Sequence, residues 1–250
     1  MGENRDKVTR FRYDPQDNLI SQTWIALQPI VHLETGRIIA HEALLRGPEG
    51  SQWESPTALF AEATRTNQRA QLEAHTRHLA VRRLADIPSK HQLFINVDMT
   101  HGPLSIVPPD VSVEPGRLVI EVSERQPIMD NLELMDQVER WRRAGFGIAL
   151  DDYGAGYSGV GALLALRPDI IKLDRSVVSK LHQDRDRRIV VAHMVSMCDH
   201  LDVKMVAEGI ETEDELRTLR DLGVPYGQGF LLGRPAKAPH TSIPGDITSS

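Results

Sequence analysis

Short apolar runs alternate along the chain with longer stretches in which apolar residues recur every three or four positions. Eight of the runs read as strands: TWIALQPIV (23–31), GRIIAHEALL (36–45), QLFINVD (92–98), RLVIEVS (117–123), FGIALDD (146–152), DIIKLD (169–174), VKMVAE (203–208) and YGQGFLL (226–232). Most are continuously apolar, as expected of strands covered on both faces. Helical patterns lie between them. In SPTALFAEA, Ser55 is the expected N-cap and Pro56 occupies the first helical position. Leu134, Val138 and Trp141 form one apolar stripe, and Val190, Met194, Met197 and Leu201 form another, with Cys198 expected in the core beside it. In TEDELRTLRDLG, Thr212 and Glu215 make a capping box and Gly223 a stop. His75 and His78 share a helix face that is expected to be exposed.

Strand and helix alternate, so a parallel sheet follows. Eight strands in 250 residues favour an α/β TIM-like (β/α)8 barrel over an open doubly wound sheet. The first two strands are separated only by HLETG (32–36), which predicts a hairpin and hence an antiparallel first strand. The barrel is expected over residues 21–237. Residues 1–20 are a polar lead and 238–250 a flexible tail, in a segment rich in Pro, Ser and Thr.

The net charge of −6 argues against a nucleic-acid polymer as partner, because such polymers are held by many cations on phosphate. A small anion remains open through a few local cations. The single Cys198 forms no intrachain disulfide, and no stretch has the length of a membrane span, so no membrane insertion is expected. With no apolar signal region in the first thirty residues, a reducing cytoplasm is the expected location.

Barrel enzymes carry their chemistry at the C-terminal ends of the strands. Those positions here hold Glu42, Asn96, Glu121, Asp151, Asp152, Lys172, Glu208 and Gln228. Each pair of like charges ~4 Å apart costs about 4 kcal/mol at an effective dielectric of 20, so converging carboxylates demand positive charge. Lys172 supplies one such charge and divalent cations the rest. An all-oxygen donor set suits Mg²⁺ or Mn²⁺ better than Zn²⁺. Consecutive aspartates at a strand end let one carboxylate bridge two ions about 3.5–4 Å apart, the arrangement that serves in-line attack on phosphate esters.

Gly154, Gly156 and Gly159 spell the G-x-G-x-x-G of a dinucleotide loop. That reading needs a helix N-terminus free to hold pyrophosphate, whereas two carboxylates stand just before these glycines. The helix between Gly159 and Arg167 is also too short for a regular crossover. The glycines are expected instead to let a loop turn tightly beside the metals.

The motifs QPIV (28–31), EALLR (42–46), FIN (94–96), EVSE (121–124), DDYGAGYS (151–158), KLDRS (172–176), AEGIET (207–212) and QGFLLGRP (228–235) follow one another in a known order. In these the sequence resembles the EAL-domain phosphodiesterases that hydrolyse cyclic di-GMP. The resemblance implies two Mg²⁺ or Mn²⁺ ions and cleavage of cyclic di-GMP to linear pGpG. It implies that Glu42, Asn96, Glu121 and Asp151 hold one ion and Asp151 and Asp152 the other. Lys172 would orient or polarise the attacking water, and Glu208 would act as general base or as a ligand of the second ion. Glu124 and Glu211 would brace the loop carrying Asp152. Gln28, Leu44, Arg46, Gln228, Arg234 and Pro235 would lie on the substrate side. Ca²⁺ is expected to inhibit, a homodimer is expected, and a regulatory domain or protein partner is implied. The loop departs from the family's usual DDFGTGYS at Tyr153 and Ala155, which bears on turnover. The alternative is a catalytically silent cyclic di-GMP receptor that signals through a protein partner.

Overall fold

A computed structural model describes residues 18–98, 106–156 and 159–243. Tyr157, Ser158 and most of the polar lead and tail lie outside them. Eight strands, β1 (Trp24–His32), β2 (Ile38–Arg46), β3 (Gln92–Asn96), β4 (Leu118–Ser123), β5 (Gly147–Tyr153), β6 (Ile170–Leu173), β7 (Lys204–Ala207) and β8 (Tyr226–Gly227), close into a barrel in sequence order. β1 is antiparallel to both neighbours, and every other pairing is parallel. The expected TIM-like barrel with an antiparallel first strand is thus the fold.

The helices α1 (Pro56–Arg65), α2 (Arg69–Arg82), α3 (Leu132–Arg143), α4 (Gly159–Leu166), α5 (Arg175–Val178), α6 (Arg185–Leu201) and α7 (Glu213–Asp221) join the strands. Local chemistry sets several of their starts. Ser55 accepts from the Ala58 amide, Asn131 from that of Leu134, and Thr212 and Glu215 cap one another reciprocally. Leu134, Val138 and Trp141 are buried as their spacing requires, and so is Cys198.

Three expectations are corrected. β8 holds two residues rather than seven, because after Gly227 the run turns back onto the segment that follows β7. Ile210 donates to the Gln228 carbonyl and Leu231 donates to that of Ile210, both at 3.1 Å. A Cβ at Gly229 would stand 2.1 Å from the Ile210 carbonyl oxygen, so only glycine admits this approach. On α6 the buried face runs through Val191 and Cys198, with Met194 and Val195 partly buried, whereas Val190 and Leu201 are about half exposed. A one-residue error rotates a helix face by about 100°, enough to exchange edge for core. His75 and His78 are half-buried rather than exposed.

Two apolar populations result. Outward-facing strand residues pack beneath the helices, and a smaller set, Ile30, Ala40, Phe94, Val119, Ala149, Ile170 and Val206, fills the barrel's interior. Fully buried His41 on β2 stacks on His91 with ring centroids 5.5 Å apart. Burial pushes its pKa from an ordinary 6.5 down to about 4, offset only in part by the backbone of His240. The folded state therefore prefers the neutral ring. Above pH 6.5 folded and unfolded chains are both neutral here, and the group contributes nothing. As pH falls from 6.5 to about 4, the unfolded chain takes up a proton that the folded chain refuses, and stability is lost. The urea midpoint is expected to decline across that window and to decline less in His41→Phe; parallel declines in both proteins would refute the assignment.

Candidate functional site

The interior apolar layer positions the polar one. Strand side chains point to the same face every second residue. Two positions beyond Ala40, Phe94, Val119, Ala149, Ile170 and Val206 stand Glu42, Asn96, Glu121, Asp151, Lys172 and Glu208. On antiparallel β1 the same step runs backwards, from Ile30 to Gln28, and beyond β8 it runs from Tyr226 to Gln228. Each strand thus carries a polar group one step above an apolar plug, about 7 Å up the barrel.

Lys172 Nζ lies 2.5 Å from Glu121 Oε1, 2.6 Å from Glu208 Oε1, 3.2 Å from Asp151 Oδ1 and 3.5 Å from Glu42 Oε2. Burial alone would push this ammonium's pKa down, yet Asp151, Glu121, Glu208 and Glu42 together hold it well above the ordinary lysine range. The carboxylates divide. Burial pushes Glu121 well up, with Glu42 adding to it, and pushes Glu208 up to about 8. Asp151 is raised by the same cause. Glu42 goes down despite its burial, because Lys172 and hydrogen bonds from Gln228 (2.8 Å) and Asn96 (2.9 Å) favour its charge.

Adjacent strand residues normally point to opposite faces, so Asp151 and Asp152 can reach one site only if the strand is broken. The break is there. Pairing between β5 and β6 shifts register between Leu150 and Tyr153, and Asp152 adopts φ 59°. The Asp152 carboxylate accepts from Ser123 Oγ at 3.0 Å and lies 3.2 Å from Arg125 Nε. Carboxylate oxygens of Asp151, Asp152 and Glu208 come within 4.8 Å of one another.

The glycine loop answers to a carboxylate of its own. Glu124, fully buried, accepts from the Gly154 amide at 2.9 Å and the Gly159 amide at 2.6 Å. Those amides would have to face a phosphate in a dinucleotide loop; here they are committed to Glu124. Gly154 and Gly159 have φ of 93° and 50°, which glycine reaches without strain.

The hard oxygen donors fit a divalent cation. Glu121 Oε2 makes no hydrogen bond among the described residues, and the buried carboxylates outnumber their single ammonium. The cleft above them, about 290 Å³, is lined by Gln28, Glu42, Leu44, Asp151, Lys172, Glu208, Glu211 and Gln228, together with Arg175 and Phe230. A wider cleft of about 570 Å³ adjoins it, sharing Leu44 and reaching Asn96, Ser123 and Arg125.

Other expected residues sit apart. Glu211 pairs with Arg175 at 2.9 Å on the edge of the cleft and makes no hydrogen bond to the glycine loop among the described residues. Arg46 donates to its neighbour's carbonyl, Leu45, at 2.7 Å. Arg234 lies over the Phe230 ring at 4.2 Å, and neither Arg234 nor Pro235 lines the acidic cleft. Ser123 and Arg125, which meet Asp152, were not among the expected site residues. The signal was available for Ser123, two residues after Glu121 on the same strand face.

Barrel and site together define a TIM-like α/β barrel whose C-terminal mouth gathers a cluster of hard oxygen donors that could hold a metal ion. The EAL domain matches residues 18–235, and the chain belongs to that family. The probable cyclic di-GMP phosphodiesterase PdeB of Escherichia coli K12 is 34% identical over 218 residues, covering 83% of this chain and 41% of that protein. The chain therefore spans about two-fifths of that relative's length. Among solved structures, the PaMucR phosphodiesterase complex with c-di-GMP is 29% identical with a TM-score of 0.74, covering 87% of this chain and 93% of that one. Klebsiella pneumoniae BlrP1 in a calcium and cyclic di-GMP complex is 31% identical with a TM-score of 0.78, covering 92% and 60% respectively.

Two expectations follow from the geometry. Glu124→Gln places an NH₂ group where the loop amides need an acceptor, and should cost about 1–3 kcal/mol while speeding hydrogen exchange at Gly154 and Gly159. Unchanged exchange at both amides would show that the loop is held otherwise. Lys172→Met strands the buried carboxylates without their counter-charge and should destabilise the metal-free protein by about 3–5 kcal/mol. Excess Mn²⁺ should then raise the melting temperature of the variant more than that of the parent; equal melting temperatures of the two metal-free proteins would sink the account.

Proposed function

We propose that this chain is a metal-dependent phosphodiesterase acting in the cytoplasm, hydrolysing cyclic di-GMP to linear pGpG. The observation that carries the reading is the convergence of Glu42, Glu121, Asp151 and Glu208 on Lys172 at one end of the barrel, with Asp152 beside Asp151 and Glu208, beneath an open cleft. Relatives whose names and titles record cyclic di-GMP phosphodiesterases and cyclic di-GMP complexes support the substrate. A manganese complex of BlrP1, 31% identical with a TM-score of 0.75, supports the metal.

In this reading Glu42, Asn96, Glu121 and Asp151 hold one Mg²⁺ or Mn²⁺, and Asp151 and Asp152 hold the second. When bound, such ions would make the attacking water more acidic and neutralise charge on the attacked phosphate. Gln228 and Asn96 fix the Glu42 carboxylate through its two oxygens, so that its orientation is set before a ligand arrives. Ser123 does the same for Asp152. Lys172 orients and polarises the attacking water, and Glu208 takes its proton or completes the second ion's shell. The broad neighbouring cleft accommodates the part of the nucleotide beyond the attacked phosphate.

Purified protein incubated with cyclic di-GMP and Mn²⁺ should yield pGpG on chromatographic separation. EDTA should abolish the product, and Glu42→Ala should lower turnover by at least about tenfold to a hundredfold. Full activity in Glu42→Ala would refute the site assignment. Tight binding of intact nucleotide at saturating Mn²⁺ would assign the chain to the silent receptors instead. Ca²⁺, larger and looser in its geometry, should inhibit Mn²⁺-supported turnover; unchanged turnover in excess Ca²⁺ would refute that inhibition.

A further inference from the structure

At the opposite end of the barrel, where β1 ends and β2 and β3 begin, a groove of about 350 Å³ has only basic residues among its charged lining: Arg37, Lys90 and the imidazoles His32 and His91. This runs against the molecule's net charge of −6, and other surface arginines sit beside acids, as in Arg65–Glu62, Arg82–Asp110 and Arg142–Glu139. Arg37 and Lys90 are exposed, and neither forms an ion pair among the described residues. Cations gathered on one groove raise the local positive potential and favour a small anion there, an attraction that salt weakens.

The groove has further recognition chemistry. His32 Nδ1 accepts the Thr35 amide at 3.4 Å, so the neutral ring carries its proton on Nε2 as a donor. Tyr226 holds that ring edge-on, with centroids 5.5 Å apart and planes at 85°. His91, stacked on His41, belongs to the lining contributed from the β3 side. The remaining lining includes the apolar Ile38 and Ile39. Cations and a fixed N–H donor beside an apolar surface are what a phosphorylated molecule with a flat apolar body requires.

We propose that this groove binds a small phosphomonoester bearing such a body, of the purine nucleoside monophosphate class. The site is separate from the acidic rim and needs no divalent cation.

Isothermal titration calorimetry of the full chain in EDTA, with GMP as probe, tests the assignment independently of any catalytic activity. GMP should bind, guanosine and inorganic phosphate should each bind more weakly, and the affinity for GMP should fall as salt is raised. Replacing both exposed cations, Arg37→Gln with Lys90→Gln, should weaken GMP by about tenfold or more, and Lys90→Gln alone should weaken it measurably. No GMP binding to the parent protein overturns the proposal, as does undiminished binding in both variants. Guanosine matching GMP would overturn the phosphate's role, and inorganic phosphate matching GMP would overturn that of the apolar body.

Discussion

One buried ammonium organises the mouth of this barrel. Lys172 is almost fully buried, and four carboxylates lie within 3.5 Å of it. Its charge is kept by those acids against the pull of desolvation, and their charge is tolerated only in its presence. The balance is incomplete: one cation faces several anions, and burial shifts Glu121 and Glu208 toward their protonated forms. Hard oxygen donors crowded in this way suit a divalent cation, which would replace protons and relieve repulsion in the same step.

What places Lys172 among the acids is the barrel's own periodicity. The interior layer of Ala40, Phe94, Val119, Ala149, Ile170 and Val206 closes the lower barrel to water, and the next inward-facing residue on each strand is polar. The apolar plug thus supplies rigidity and low dielectric from below while the cleft leaves the upper side open. Only Asp152 departs from the period. It is delivered by a break in β5 at a positive φ, and Ser123 and Arg125 meet it there. Glu124 then anchors the following loop, so Glu121, Ser123 and Glu124 on β4 and its turn meet Lys172, Asp152 and the loop in chain order.

Much of this was legible before any coordinates. Seven strands fell close to their observed bounds because continuous apolar runs flanked by turn residues leave few alternatives. The helix starts at Ser55 and Thr212 were readable from side chains that satisfy specific backbone amides. The run at 226–232 misled because an apolar stretch does not reveal whether its backbone pairs with a strand or folds onto Ile210. The stripe on α6 misled because Val190 and Val191 are equally apolar, and only packing chooses which of two neighbours faces inward.

The chemistry was already written in the residue order: an acidic, amide or lysine residue at the end of nearly every strand, an oxygen-only donor set, and a hairpin that turns the first strand around. Local spacing and residue type carry that information, since they act within a few residues. Tertiary structure alone decided which acids share Lys172, that Asp152 turns back to join Asp151, and that Glu124 rather than a phosphate occupies the glycine-loop amides. It also decided that Arg37 and Lys90, 53 positions apart in the chain, face a common groove. Such pairings depend on strand register and barrel closure, and burial sets their energies, so no local pattern could have announced them.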